Sequence, residues 1–249
     1  MKILITNDDG IHAKGLEILV KAAQHFGEVL VVAPETEQSG KSHSINVRKP
    51  IAIKDYKETL FEGVQAYSVG STPADCVRYT HHHLRYDFDV VFSGVNRGYN
   101  MGEDIMYSGT VAGASEAAFI GKKGIAFSTI YNDFSGAEWF LKDIIQWIIT
   151  KNLLDVVGLL NVNIPPLQKE DILEFQLTFQ GSTHYDTRFD LENGAYYQRG
   201  KPHLYRQKEN LNSDVHAILH EKVSICPLTV DRTDHIGLGK IKKKYIEKK

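Results

Sequence analysis

The sequence predicts an α/β protein built on a doubly wound sheet. Three observations carry that reading. The chain opens with a short apolar strand, KILIT, that shows little polar alternation, as a strand covered on both faces should. A helical segment and a second apolar strand follow directly, and two parallel strands need such a crossover. The buried strands then run into polar or glycine-rich residues, which is where open α/β sheets gather their ligands.

Lys2–Thr6 reads as strand one. The segment from Gly15 to Phe26 reads as a helix, with Leu16, Leu19, Val20 and Ala23 on one face and Gly27 as its stop. EVLVVA is strand two, closed by Pro34. A polar loop, PETEQSGKSHS, leads to short β-like pieces near 51–53 and 66–69. Thr72 is placed to cap a helix with Pro73 at its first position and Asp75 in its first turn. DVVF (89–92) is a further buried strand that opens into Ser93-Gly94-Val95-Asn96. Ser108-Gly109-Thr110 starts a small-residue helix ending near Phe119, and 124–129 is another strand. Ala137, Phe140, Ile144, Ile145 and Ile148 mark an amphipathic helix, and LLNVNI (159–164) a strand. Beyond about residue 170 the pattern changes. Segments 174–180 and 196–206 read as antiparallel strands, an excursion from the main sheet with few helix signals before the tail.

Composition narrows the class. The chain has 249 residues, 42% hydrophobic and 24% charged, enough for one large α/β domain. Net charge is −2, so no global positive field points to nucleic acid or an anionic membrane. The two cysteines, Cys76 and Cys226, form no C-x-x-C pair. A reduced, cytoplasmic setting is expected. Lys2 is not followed by the roughly 7–15-residue apolar stretch of a signal peptide. No run approaches the roughly 20 apolar residues of a membrane span.

The chemistry sits at the strand ends. Strand one delivers Asp8 and Asp9, strand two is followed by Ser39, and the strand at 89–92 delivers Asn96. All four are hard oxygen donors with no soft ligand beside them, a set suited to Mg²⁺, Mn²⁺ or Ca²⁺. Two carboxylates sharing a site repel, and a divalent cation relieves them. Alone, DDG fits a polar turn as well. The stretch SGVNRGYNMG adds glycines at 94, 98 and 102, which let backbone amides approach a ligand. The helix opened by Ser108, Gly109 and Thr110 then offers free amides and a dipole to a phosphate. A metal site beside such a helix start points to phosphoryl chemistry, and to hydrolysis, because no residue set for a second large substrate is evident.

The motifs ITNDDG, APETEQSGKSHSI, STPADCV, FSGVNRGYNMGEDIMYSGTVAGASEA and VNIP occur in this order, and the similarity spans residues 1 to about 232. Together they resemble the SurE (survival protein E) family of 5′/3′-nucleotidases. The resemblance implies a Rossmann-like three-layer sandwich with a mixed, mostly parallel sheet and a C-terminal antiparallel hairpin excursion. It implies a single domain over 1–249, with about 172–220 serving oligomerisation as homodimer or homotetramer. It implies metal-dependent release of phosphate from nucleoside 5′- and 3′-monophosphates, with one divalent cation, Mg or Mn, per subunit. Asp8, Asp9, Ser39 and Asn96 match the family's metal ligands. Asn96, Ser108, Gly109 and Thr110 match its phosphate contacts, and Asp8, Asp9 and Asn96 are the expected catalytic residues. The exchanged hairpin corresponds to about Tyr196–Tyr205, followed by Ser213-Asp214-Val215. Cys226 and Asn46 stand where threonine is usual, and Ala112-Gly113 varies a small-residue pair.

Other features read more plainly. His81-His82-His83 point about 100° apart on a helix and do not converge. His43 reads as a solvated loop residue with a minor claim to acid–base work. The lysine-rich tail from Lys240 reads as a frayed terminus. A phospho-receiver domain is a rival, with Asp55 as its acceptor, but it needs only about half the chain and leaves 93–110 unexplained. A non-catalytic nucleotide-binding module is the other.

Overall fold

A computed structural model describes residues 1–57, 61, 63–185, 187–200, 202–203 and 210–246. In chain order the first half holds β1 (Lys2–Thr6), α1 (Lys14–Ala23), β2 (Glu28–Pro34), β3 (Ile53–Asp55), β4 (Gln65–Val69), α2 (Pro73–Tyr79), β5 (Val90–Arg97) and α3 (Gly109–Phe119). The second half holds β6 (Lys123–Thr129), α4 (Ser135–Thr150), α5 (Leu153–Val156), β7 (Leu159–Ile164), β8 (Phe175–Leu177), β9 (His184–Tyr185), β10 (Arg188–Glu192), β11 (Ala195–Arg199), β12 (Pro202–His203), α6 (Asp214–Leu219), β13 (Val223–Pro227) and α7 (His235–Tyr245).

Among the described residues one sheet of nine strands runs in the order β3-β4-β2-β1-β5-β6-β7-β13-β8. From β4 to β7 neighbours are parallel; β3 and β13 pair antiparallel with β4 and β7. β1 alternates its side chains between two cores, which is why its sequence is apolar throughout. Ile3 and Ile5 join Leu16, Leu19, Phe92 and Ile144 on the face covered by α1 and α4. Leu4 joins Leu30, Val32, Cys76, Val77 and Val91 on the other. This is the doubly wound, mixed and mostly parallel sheet expected.

The differences have local causes. β5 does not stop at Phe92 but runs to Arg97, with its register against β6 shifting between Ser93 and Asn96. Gly94 permits this: its φ is 135°, and a Cβ there would lie 2.3 Å from the Phe127 carbonyl oxygen. β8 is parallel to its neighbour β13, and the segment expected as an antiparallel strand therefore rejoins the main sheet. The antiparallel hairpin is β10–β11, pairing Arg188 with Arg199. It starts upstream of the expected Tyr196–Tyr205 because Asn193 and Gly194, both at positive φ, make a two-residue hairpin turn. Residues 201 and 204–206 of the expected strand lie outside the described residues. α6, not anticipated, is capped by Ser213, whose hydroxyl accepts from the His216 amide at 3.1 Å. The tail is the exposed helix α7 rather than a frayed end, capped by Asp234 on the Gly237 amide at 2.8 Å; 247–249 lie outside the described residues. No helix among the described residues is long and apolar enough to cross a membrane.

Candidate active site

The order β2-β1-β5 places three carboxyl ends side by side. β1 gives way to Asn7, Asp8 and Asp9, and the turn at Gly10 (φ 101°) sends the chain on to α1. The two carboxylates diverge, as adjacent residues leaving a strand should. Asp8 turns to the start of α3, where its Oδ1 accepts from the Thr110 hydroxyl. Asp9 turns to β5, where its Oδ2 accepts from the Arg97 amide at 3.0 Å. Asn96, next to Arg97, donates its amide nitrogen to the Gly98 carbonyl at 2.7 Å, leaving its carbonyl oxygen as the atom to offer a ligand. The loop after β2 crosses this corner, and the Gln38 amide donates to the Asp8 carbonyl at 2.7 Å. Ser39 follows it, but its hydroxyl donates to Glu37 at 2.7 Å.

α3 begins as expected. Ser108 caps it, its Oγ accepting from the Val111 amide at 3.0 Å. Gly109 is required by proximity: a Cβ there would lie 2.8 Å from the Asp8 Cβ and 3.0 Å from its Oδ2. Asp8 therefore lies against the positive end of the α3 dipole.

Asp8 is 3% exposed. Burial pushes its carboxyl up to about 6; the Asp9 charge adds to this, and the Thr110 hydrogen bond opposes it. Asp9 is also raised by burial, against the lowering effects of the Arg97 amide and of the Arg97 charge. Neither carboxylate forms an ion pair among the described residues. Asn7 Oδ1, one residue before them, is buried with no hydrogen-bond partner. A raised carboxylate pair beside an unpaired buried oxygen fits a hard divalent cation, as does the all-oxygen donor set. Among the described residues no three His, Cys, Asp or Glu side chains gather into a metal-binding group, so neutral oxygens from Asn96 and Ser39 would have to complete such a site.

Other candidates fall elsewhere. Asp55 is exposed on the edge strand β3, separated from β1 by β4 and β2, which removes the geometry a receiver acceptor needs. His81–His83 lie in a π-helical turn, Thr80–Leu84, that prolongs α2. His43 is not a solvated loop residue: its Nε2 lies 2.8 Å from Glu116 Oε2. Glu116 also accepts from Arg78 at 3.0 Å. Burial alone would raise Glu116, but these two partners hold it below the usual carboxylate range. Sequence reasoning missed this triad and the Arg97 amide. Glu116 left one signal, a single carboxylate inside the apolar run VAGASEAAF.

Fold and site together define a three-layer α/β protein with an acidic pair and an anion-favouring helix start at the carboxyl edge of its sheet. The chain belongs to the SurE family: residues 3–187 match the family described as Survival protein SurE. It is 38% identical over 255 residues to the 5′-nucleotidase SurE of Syntrophomonas wolfei, covering 98% of this chain and 95% of that protein. It is 36% identical to the 5′-nucleotidase SurE of Vibrio parahaemolyticus, covering 96% and 92%. The crystal structure of the SurE protein from Aquifex aeolicus superposes with a TM-score of 0.81 at 32% identity, over 98% of this chain and 99% of that one.

Proposed function

We propose that this chain hydrolyses nucleoside 5′-monophosphates, and 3′-monophosphates as well, to nucleoside and phosphate. Asp8, Asp9, Ser39 and Asn96 would hold one Mg²⁺ or Mn²⁺, which supplies a Lewis acid for the phosphate oxygens when bound. The observation that carries the reading is the pair of adjacent carboxylates raised by burial, Asp8 against the start of α3 and Asp9 on β5. Relatives named 5′-nucleotidase support the substrate class.

The chain's own residues divide the work. Thr110 and the Arg97 amide fix Asp8 and Asp9 in diverging directions. The first turn of α3, from the Ser108 cap through Gly109 and Thr110, takes the phosphate oxyanion on its amides. Asn96, next to the Arg97 amide that holds Asp9, would offer its carbonyl oxygen from β5. The 172–220 excursion, with its exposed β10–β11 hairpin, would join copies as a homodimer or homotetramer, and a cytoplasmic setting suits the free, buried thiols.

The test is phosphate release from a panel of 5′- and 3′-nucleotides with Mg²⁺, Mn²⁺ or EDTA. Release is expected with the metals and not with EDTA, and Asp8→Ala and Asn96→Ala are expected to abolish it in folded protein. Nucleotide binding without release would make the chain a binding module and overturn the proposal.

A further inference from the structure

A neutral oxygen that binds a cation must have its group's hydrogens taken up elsewhere. Asn96 meets this condition by donating its amide nitrogen to the Gly98 carbonyl at 2.7 Å. Ser39 meets it through Glu37, whose Oε1 accepts the Ser39 hydroxyl at 2.7 Å. We propose that Glu37 is a positioning residue, which takes the Ser39 hydroxyl proton in a hydrogen bond and leaves the lone pairs of that oxygen for the cation. This role rests on the cation reading above and adds a residue that itself touches neither cation nor substrate.

The backbone brings Glu37 to the corner of β1. The Ile11 amide donates to the Pro34 carbonyl at 2.8 Å, and the Gln38 amide to the Asp8 carbonyl at 2.7 Å. Between these bonds the loop passes over Gly10, where a Cβ would lie 3.4 Å from the Thr36 carbonyl carbon and 3.6 Å from the Glu37 amide nitrogen. Farther along, Ser42 ties the loop to the approach to α3. Its amide donates to the Tyr107 carbonyl at 2.9 Å and its hydroxyl to the Met106 carbonyl at 2.6 Å. Ser39 lies between the anchors at Gln38 and Ser42.

The Glu37 side chain is braced as well. Its Oε2 lies 3.8 Å from Arg97 Nη2, and the Arg97 guanidinium lies 5.0 Å from the centre of the Tyr131 ring. The Arg97 amide meanwhile holds Asp9. Glu37, Arg97 and Asp9 line one depression of about 360 Å³. A chain of contacts thus runs from Ser39 through Glu37 and Arg97 to Asp9. Glu37 and Arg97 are 53% and 39% exposed, and pairs of that kind add little to stability. The Glu37 charge also carries a cost, since it raises Asp9 further. What the carboxylate does supply is an acceptor stronger than a carbonyl, and an acceptor on a ligand's hydrogen both orients the ligand and makes its oxygen more basic.

The experiment measures Mn²⁺ affinity without nucleotide, by isothermal titration calorimetry. It uses the parent, Glu37→Ala, Glu37→Gln, Ser39→Ala and the double variant Glu37→Ala with Ser39→Ala. Glu37→Ala is expected to weaken Mn²⁺ about tenfold, as loss of a ligand's hydrogen-bonded partner does. Glu37→Gln keeps an oxygen able to accept the hydroxyl and is expected to recover most of that loss. In the Ser39→Ala background Glu37→Ala is expected to cost nothing further. Unchanged affinity in Glu37→Ala overturns the proposal. So do equal losses in Glu37→Ala and Glu37→Gln, or additive losses in the double variant, either of which makes Glu37 a charge acting independently of Ser39. The urea midpoint in EDTA is expected to stay at the parent's value; a midpoint that falls with the affinity makes loss of folding the cause and overturns it too. A parent that binds Mn²⁺ with this coupling but releases no phosphate from any nucleotide overturns the nucleotidase reading and leaves the role of Glu37 in place. A parent that binds no Mn²⁺ overturns that role, whether or not it hydrolyses nucleotides.

Discussion

Asp8→Asn removes a charge from the corner of β1 while keeping the side chain's shape. Asp8 is 3% exposed, and burial, with help from Asp9, raises its carboxyl from 3.8 to about 6. A raised carboxyl means that the folded chain holds its proton between pH 3.8 and 6 where the unfolded chain has lost it. Stability contributed by this group therefore falls as pH rises through that window, and the full cost stands above pH 6. About two units at about 1.36 kcal/mol each is about 3 kcal/mol. Asparagine carries no such cost, and its Oδ1 still accepts from Thr110. In EDTA at pH 8 the variant is expected to be more stable by about 3 kcal/mol, some 6–12 °C in Tm at roughly 2–4 °C per kcal/mol for a chain of this size. Near pH 4 the advantage should shrink toward zero. Saturating Mn²⁺ or Mg²⁺ should reverse the order, because a cation that binds only the folded parent stabilises it by mass action. Thermal and urea unfolding from pH 4 to 8, with EDTA or metal, measure all of this. A variant less stable than the parent in EDTA at pH 8, or an advantage independent of pH, would refute the account of the site.

Gly109→Ala places a methyl 2.8 Å from the Asp8 Cβ, so kcat/KM is expected to fall about a hundredfold, while urea unfolding moves by about 1–3 kcal/mol. Asp214 is fully buried and accepts from the amides of Gly102 at 3.0 Å and of Gly181 and Val215 at 2.8 Å. Asp214→Ala leaves two buried donors and one partly buried donor unpaired and is expected to cost at least about 3 kcal/mol by urea unfolding. Cys76 and Cys226 are buried, and burial raises both thiols, Cys226 to about 12. Neither is expected to react with iodoacetamide at pH 8 until guanidinium unfolds the chain, and rapid labelling of the native protein would contradict their packing.

The sheet was legible because its strands are short apolar runs between unmistakable breaks. LLNVNI came out residue for residue as β7, and KILIT as β1. The Thr72 cap was legible too: its hydroxyl accepts from the Asp75 amide at 3.3 Å. Asp8, Asp9 and Asn96 could be placed from sequence at the carboxyl ends of β1 and β5, and Ser108–Thr110 at a helix start, because the breaks around them are plain. Ser39 was less legible, since nothing in the loop says that its hydroxyl turns to Glu37. The His43–Glu116–Arg78 triad was not legible at all. Its members come from a loop and two helices, and only the packing of α2 against α3 brings them together. The β10–β11 turn was written in the chain as Glu-Asn-Gly-Ala, between strands whose tyrosines and charges hid their alternation.

The asparagines of β7 show why a site can depend on residues that never reach it. Asn161 and Asn163 stand two apart, hence on one face of the strand, and both are fully buried. An apolar residue would pack there at less risk, since a buried amide is costly unless bonded. Both donate to the Asn100 carbonyl, at 2.7 and 3.0 Å, and Asn163 accepts the Asn100 amide at 2.9 Å. Asn100 in turn donates to Ser128 of β6 at 2.8 Å. Two residues on, Gly102 is held by Asp214, and Glu103 accepts from Ser182 and Thr183. The loop so anchored is the one that leaves Asn96 and arrives at Ser108. Its two ends carry the candidate cation ligand and the helix start, and their separation is set by strands and by an excursion that supply no candidate ligand themselves. Loosening any of these anchors should therefore be felt at Asn96 and at Ser108 before it is felt in the core beneath β1.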